Sequence, residues 1–319
     1  MQNLYGYKPN PAGVERWLND PANKHPVFAV AKGVDKIRDD KRKNTVLYKP
    51  LMKLEPDWVR NYQKIGDCVS WGWEIAITMM MARLALERKM SWLGAAATES
   101  IYGGSRVEAR GRTHGGWSDG SYGGSAAKWV MTTGGVLLRK DYSQETGNPE
   151  HDLRKYSKDK AKQWGAYGCG GKSDKGELDI ISRSYPVKTA SLVTSFDEAA
   201  TAIAVAKSPV PVCSGQGFSS RRDSDGFAVP RGSWAHCMCF IGARFGKRPG
   251  LLLLNSWPAP SWNGPHYPRR IPKAIKEVSC WVDADVCDRM LRGADSYAIS
   301  PVDGFSRVVD RLNIYDLST

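Results

Sequence analysis

The order of segment types predicts an α+β fold. Helix-type segments fill the first half of the chain and short β-rich runs the second, a segregation that argues against a doubly wound parallel sheet. A hydrophobic share of 41% over 319 residues supports a substantial core. No run of about 18 uncharged apolar residues occurs, so no membrane span is expected.

The elements follow in order. Residues 1–60 are polar and interrupted by Pro9, Pro11, Pro21, Pro26, Pro50 and Pro56. They read as an arm that packs on the domain, with one short helix over 14–18. Residues 68–88 form the strongest helix, with no proline, one glycine and many good helix formers. It is apolar on nearly every face until Arg83, so it is expected to be buried and central. Gly66 permits a sharp turn into it and Asp67 suits an N-cap. Residues 91–142 read as small helices and glycine-rich loops, with a helix over 125–133 stopped by Gly134 and Gly135. Residues 143–178 read as a charged, glycine-rich loop with a short helix over 152–164. Then come the β-rich runs "SYPVKTASLV", "VPVCSGQGF", "WAHCMCFIGARF", "GLLLLNSW" and "EVSCWVDAD", with a helix over 196–207 among them. Residues 293–319 carry scattered apolar positions and read as a tail that docks on the domain or on a partner.

The net charge of +13 is spread along the chain and is densest in "KGVDKIRDDKRK", residues 32–43. It implies weak attraction to nucleic acid or other anionic polymers, with no recognition motif alongside. The N-terminus shows no apolar leader, and seven cysteines form no even-spaced framework. Both point to reduced thiols in a cytosol-like setting, cytoplasmic or virion-associated rather than classically secreted.

Chemistry centres on Cys68. A thiol at the first turn of a long helix meets unpaired N–H groups and the positive end of the helix dipole, which favour thiolate. A nucleophilic thiol needs a base, and the base an orienting group. Of five histidines, only His236 lies in an apolar strand-like run, "SWAHCMCFIGARF". Nineteen residues later "LLLLNSW" ends an apolar strand in Asn255, Ser256 and Trp257. The asparagine suits an imidazole partner, and the tryptophan suits a shield against water. A core histidine and a turn-forming asparagine are the plainer readings of the same residues.

Together these segments resemble the papain-like cysteine peptidases over about residues 56–290. "EPDWVRNYQKIGDCVSWGW" is similar to the family's leading strand, oxyanion glutamine and nucleophile helix. "WSDGSYGGSAAKWV" resembles the glycine loop and helix beside the cleft, "WAHCMCFIGAR" the histidine strand, and "LLNSW" the asparagine strand. "SCWVDADVCDRML" resembles the last strand and closing helix. The resemblance implies two lobes: a helical one at about 61–165, and an antiparallel β-barrel-like one at about 180–292. The domain would span 61–292, with arm 1–60 and tail 293–319. It implies a triad of Cys68, His236 and Asn255 acting through an acyl-enzyme, with Gln63 donating to the oxyanion. It further implies that Gly120, Ser121, Tyr122 and Trp257 bind substrate.

The sequence also departs from the family. Gln63 precedes Cys68 by five positions where six is usual, and strict spacing would select Tyr62. Gln63 is preferred, with the loop one residue shorter. Val69 stands where an aromatic residue usually follows the nucleophile, a space Trp71 or Trp73 would cover. The separations from Cys68 to His236 and Asn255 exceed the family's roughly 130–150 residues, consistent with an insertion at 143–178. Pro258 follows Trp257 where glycine is usual. Asp119 is read as a turn residue more readily than as a cleft carboxylate.

No cofactor or metal is expected. "GCGGKSDKG" lacks the first phosphate-loop glycine and a preceding strand. Strand alternation sends His236 and the pair Cys237 and Cys239 to opposite faces. Cys169 is read as a surface thiol in a loop, and Cys213, Cys280 and Cys287 as structural. The functional expectation is a peptidase acting on protein or cross-linked peptide. The alternative is a papain-fold structural component of a virus or phage particle or another assembly, contacting partner proteins, with a vestigial or single-use site.

Overall fold

The computed structural model describes residues 4–21, 27–28, 43–58, 60–87, 89–293 and 295–300. Residues 301–319, with every scattered apolar position of the tail except Ile299, and all of the basic run at 32–43 except Lys43 lie outside these.

The fold is α+β, as the segregation of segment types predicts. The central helix Cys68–Leu86 is buried on every side except at Arg83, Ala85 and Leu86. A helix this apolar all round survives in water only by being wrapped in other elements. Helices Lys49–Leu54 and Thr98–Arg106 pack on one side of it and the sheet on the other.

The spine of the sheet is β4 (Ala228–Arg244). It pairs antiparallel with β1 (Thr45–Val46), β3 (Val210–Arg222) and β5 (Gly250–Leu254), and β5 with β6 (Ser279–Asp283). In the β3–β4 register Ser214 faces His236 and Cys213 faces Cys237. A separate two-stranded sheet joins β2 (Ala190–Leu192) to β7 (Tyr297–Ile299).

One close approach joins helix to sheet. A Cβ on Gly72 would lie 2.8 Å from the Met238 carbonyl and 2.9 Å from Cys237 Sγ. Glycine one turn below Cys68 therefore lets β4 press against the helix, which brings the segment carrying His236 to the thiol.

The arm is more structured than its prolines suggest. It forms helix Pro11–Leu18, with Asn10 accepting from the Gly13 N–H as an N-cap, and it adds β1 and helix Lys49–Leu54 to the core. Val14, Trp17, Leu47 and Leu51 are buried. The helix expected over 152–164 runs Lys158–Tyr167, started by Ser157 accepting from Lys160. That expected over 125–133 is α-helical at Gly123–Lys128 and π-helical at Trp129–Thr133. No described helix is long and apolar enough to cross a membrane.

Candidate active site

His236 and Asn255 meet where β4 and the end of β5 lie side by side. His236 Nε2 is 2.8 Å from Asn255 Oδ1. The same oxygen accepts from the backbone N–H of Ser256 at 2.7 Å and of Trp257 at 3.3 Å. Those two donors settle the amide orientation, so the oxygen faces the imidazole. Nε2 then carries the proton and Nδ1 keeps a lone pair. Nδ1 is enclosed and has no hydrogen-bond partner. The Trp257 ring stacks on the imidazole at 4.7 Å between centroids, and Trp234 packs against Trp257 at 4.7 Å.

Cys68 opens the central helix, wholly buried. Its Sγ accepts from the N–H of Cys237 at 3.4 Å and from that of Gly6. The sulfur thus lies against the peptide that follows His236. The sequence favours a thiolate at this position, and the described state opposes it. Burial, reinforced by Cys237, pushes the thiol well up, and the two peptide donors only partly offset this. Burial pulls the His236 imidazole down to about 4, against the Asn255 hydrogen bond and with help from the Arg60 charge. Both groups are therefore neutral around pH 7.

Gln63 is 1% exposed, whereas Tyr62 is 44% exposed, so the glutamine and not the phenol is the enclosed one. Gln63 Oε1 accepts from Ser256 Oγ, and its backbone N–H donates to the Ser256 carbonyl at 2.9 Å. Held this way, its Nε2 donates to the carbonyls of Leu4 at 2.7 Å and Ile65 at 2.9 Å.

Leu4 belongs to a strap, residues 4–8, that crosses the site. Ser121 N–H donates to the Gly6 carbonyl at 2.8 Å and Lys8 N–H to the Ser121 carbonyl at 3.0 Å, a parallel pairing. On the other side Tyr7 N–H donates to the Ala235 carbonyl at 3.1 Å. The strap passes so close that a Cβ on Gly6 would sit 1.8 Å from the Gly66 carbonyl oxygen. Gly66 is required by this approach, since its φ is not positive. Tyr5 packs on Trp257 at 5.7 Å. Tyr7 is buried facing Cys213 and Asp295, and burial pushes its phenol far up.

Of the residues expected to bind substrate, Ser121 pairs with the strap, and Gly120 lies beside it with its carbonyl held by Arg106. Tyr122 sits further along, under the Arg110 guanidinium at 4.5 Å, lining a cavity of about 640 Å³ with Asp295. Trp257 lines the opposite cavity of about 880 Å³ with Tyr5, Gln63, Trp234 and Pro258. Asp119 Oδ2 accepts from the Gly66 N–H at 2.9 Å, tying the glycine loop to the turn before Cys68.

Two expectations are corrected. Asp67 does not cap the helix with its side chain. Its carboxyl is buried and accepts from Tyr156 Oη at 2.9 Å, and burial raises it to about 8. Cys169 is not a surface thiol. It is buried, with its N–H on Glu108 Oε1 at 2.8 Å. Trp71 and Trp73 both pack inward, on Tyr156 and Tyr297.

Several site residues escape sequence reasoning. Arg106 donates to the carbonyls of Gly115, Gly116, Gly120 and Gly165 and to Tyr102 Oη, pinning the glycine loop. Asp295 accepts from Gly123 and Gly124 behind Tyr7. Neither carries a local motif. The strap left a faint trace in "LYGYK", an alternation of aromatics around the one residue able to pass Gly66.

The fold is that of the papain-like cysteine proteases. Xylellain, a cysteine protease from Xylella fastidiosa, superposes with a TM-score of 0.57 at 15% identity, over 94% of this chain and 97% of that one. Procathepsin B S9 from Trypanosoma congolense gives 0.53 at 10% identity over 94% and 87%. The ragweed pollen allergen Amb a 11, a cysteine protease in its proform, gives 0.51 at 16% identity over 94% and 76%. No protein-family model matches the sequence, and no curated protein matches it.

Proposed function

We propose that the chain is a cysteine-type peptidase in a latent state, with residues 4–8 lying in its own substrate cleft. The His236–Asn255 hydrogen bond, the donation from the N–H after His236 to Cys68 Sγ, and the burial of Gln63 against Ser256 support this reading. With the strap displaced, water and substrate reach the pair. His236 Nδ1 accepts the Cys68 proton and the thiolate attacks a peptide carbonyl carbon. The oxyanion that forms takes hydrogen bonds from Gln63 Nε2, now freed from Leu4, and from the Cys68 N–H. His236 protonates the leaving amine as the C–N bond breaks. A water molecule, deprotonated by His236, then hydrolyses the thioester. Asn255 holds the imidazole in the required tautomer, and Trp257 screens that bond from water.

The substrate class is protein or peptide, in keeping with the proteases whose fold the chain shares. The assembly-component reading draws no support from these neighbours. The test is hydrolysis of a quenched fluorescent peptide library and iodoacetamide labelling of Cys68 at pH 6, on the intact chain and on a Gly6→Val variant that ejects the strap. Fast labelling and hydrolysis in the variant, both lost on adding His236→Ala, support the proposal. A strap-displaced protein whose Cys68 labels no faster than an unassisted thiol sinks it.

A further inference from the structure

The central helix carries Cys68 at its first residue, and β4 carries His236 at its midpoint. At the far end of the helix and the closing end of β4 lies a third cavity, of about 510 Å³. Arg83 of the helix, Arg244 closing β4 and Lys207 line it, with Lys49 beside them and Tyr267 and Trp281 as aromatic walls. Fifteen helical residues separate Arg83 from Cys68, roughly 22 Å at the helical rise. The cavity is therefore outside the catalytic cleft.

The charges here are unbalanced. Among the described residues the acid lining the cavity is Glu87, and it is already bonded to Arg83 at 2.8 Å and Lys89 at 2.7 Å. Arg83 Nε and Arg244 Nη1 are enclosed without a hydrogen-bond partner. Buried donors left unpaired are uncommon and point to a missing acceptor. The Arg244 guanidinium carbon lies 4.8 Å from the centre of the Tyr267 ring, a contact that restrains its fork.

Lys207 adds an independent sign. Its φ of 55° lies in the left-handed region, just past helix Phe196–Ala204, where a helix end normally takes glycine. It is the single non-glycine residue with positive φ among those described. Its ammonium is held by the Ala204 carbonyl and Thr45 Oγ1, and both burial and the nearby Arg83 lower its pKa. A lysine kept in a strained position beside two arginines implies a use for its charge.

We propose that this cavity binds a phosphate-bearing small molecule. Arg83 Nη1 and Nη2 already engage Glu87 and Met80 Sδ, so Arg83 Nε, the Arg244 guanidinium and the Lys207 ammonium are the groups that meet the oxygens of a phosphomonoester, and the aromatic walls suit an organic group attached to it. Because Arg83 belongs to the helix of Cys68 and Arg244 to the strand of His236, such a ligand would bridge the two elements that carry the proposed catalytic pair.

The test is calorimetric titration of the full chain with inorganic phosphate and with phenyl phosphate at constant ionic strength. Saturable binding is expected, weakened at least tenfold by Arg244→Gln and unchanged by Lys175→Gln at a remote exposed position. Tighter binding of phenyl phosphate identifies an organic phosphate as the ligand, and equal binding identifies free phosphate. Arg244 also covers Phe227, so Lys207→Gly serves as the second variant. It is expected to melt higher than the parent while binding phosphate at least tenfold more weakly. Absence of saturable binding by either probe, or binding retained by both variants, overturns the proposal. The readout is independent of peptidase activity.

Discussion

The side-chain amide of Gln63 donates to the backbone carbonyl of Leu4 at 2.7 Å. A glutamine pinned by Ser256 beside a buried thiol has its free donor taken by the chain's own carbonyl. The hydrogen bond a substrate carbonyl would claim is thus already made.

Displacing the strap is therefore expected to unmask the thiol. Gly6→Val brings side-chain carbon onto the Gly66 carbonyl, which backbone cannot yield. Tyr7→Ala removes a buried aromatic anchor worth about 2–3 kcal/mol, so the open state gains roughly 30- to 150-fold. Iodoacetamide labelling of Cys68, mapped by mass spectrometry, should rise by about that factor in Tyr7→Ala and more in Gly6→Val. Cys169, Cys239, Cys280 and Cys287 are buried and should label no faster than in the parent, whereas Cys213 and Cys237 lie near Tyr7 and are read separately.

Gly72→Ala is expected to separate helix from sheet. The added methyl meets the Met238 carbonyl and Cys237 Sγ at under 3 Å. Overpacking of this kind costs about 1–3 kcal/mol. Denaturant unfolding should show that loss. In a Gly6→Val background, Cys68 labelling should fall, because the imidazole segment is pushed off the thiol.

If Gln63 stabilises an oxyanion, Gln63→Ala in the strap-displaced protein should lower kcat by roughly 10²–10³ with little change in KM. Ser256→Ala frees the glutamine side chain without removing it, and should cost roughly tenfold in kcat. Equal losses in KM for both would mean that the amide serves binding alone.

Arg106→Lys exchanges a five-donor fork for an ammonium that cannot reach four separate carbonyls. Loss of at least about 3 kcal/mol of stability is expected, since buried carbonyls lose their donors. In the strap-displaced protein KM should rise more than kcat falls if the loop, which pairs with the strap at Ser121, pairs with substrate in the same way.

Asp67 makes the fold sensitive to alkali. Its carboxyl is raised to about 8 by burial, so the folded state holds a proton that the unfolded chain gives up near pH 4. The stability this confers is complete below pH 4 and is lost as pH rises through 8. Asp67→Asn keeps the acceptor for Tyr156 and removes the titration. Melting curves from pH 5 to 9 should show the variant declining less than the parent, with the gap widening from pH 5 up to about 8 and constant above it. Parallel curves would mean that the carboxyl is ionised throughout.

Much of the site is legible from local pattern. The all-round apolar helix after Cys68, the strand run around His236 and the strand ending in Asn255 declare themselves through short-range periodicity. So does the segregation of helices from strands. Residues 45–54 were harder to read, because Pro50 and two lysines mask a strand and helix that exist only through their packing on β4 and the central helix.

What the amino-acid order determined alone is the fold class and the segments that supply thiol, imidazole and asparagine. These depend on side-chain period and on residue types within a few positions of one another. Only the tertiary structure decided that Gln63 rather than Tyr62 faces inward, that Asp67 is buried, that Cys169 is hidden, and that residues 4–8 lie over Cys68. Each of those depends on partners tens to hundreds of residues away. The protonation of the thiol and imidazole depends on them too, since removal of water by distant segments outweighs the helix end on which the thiol sits.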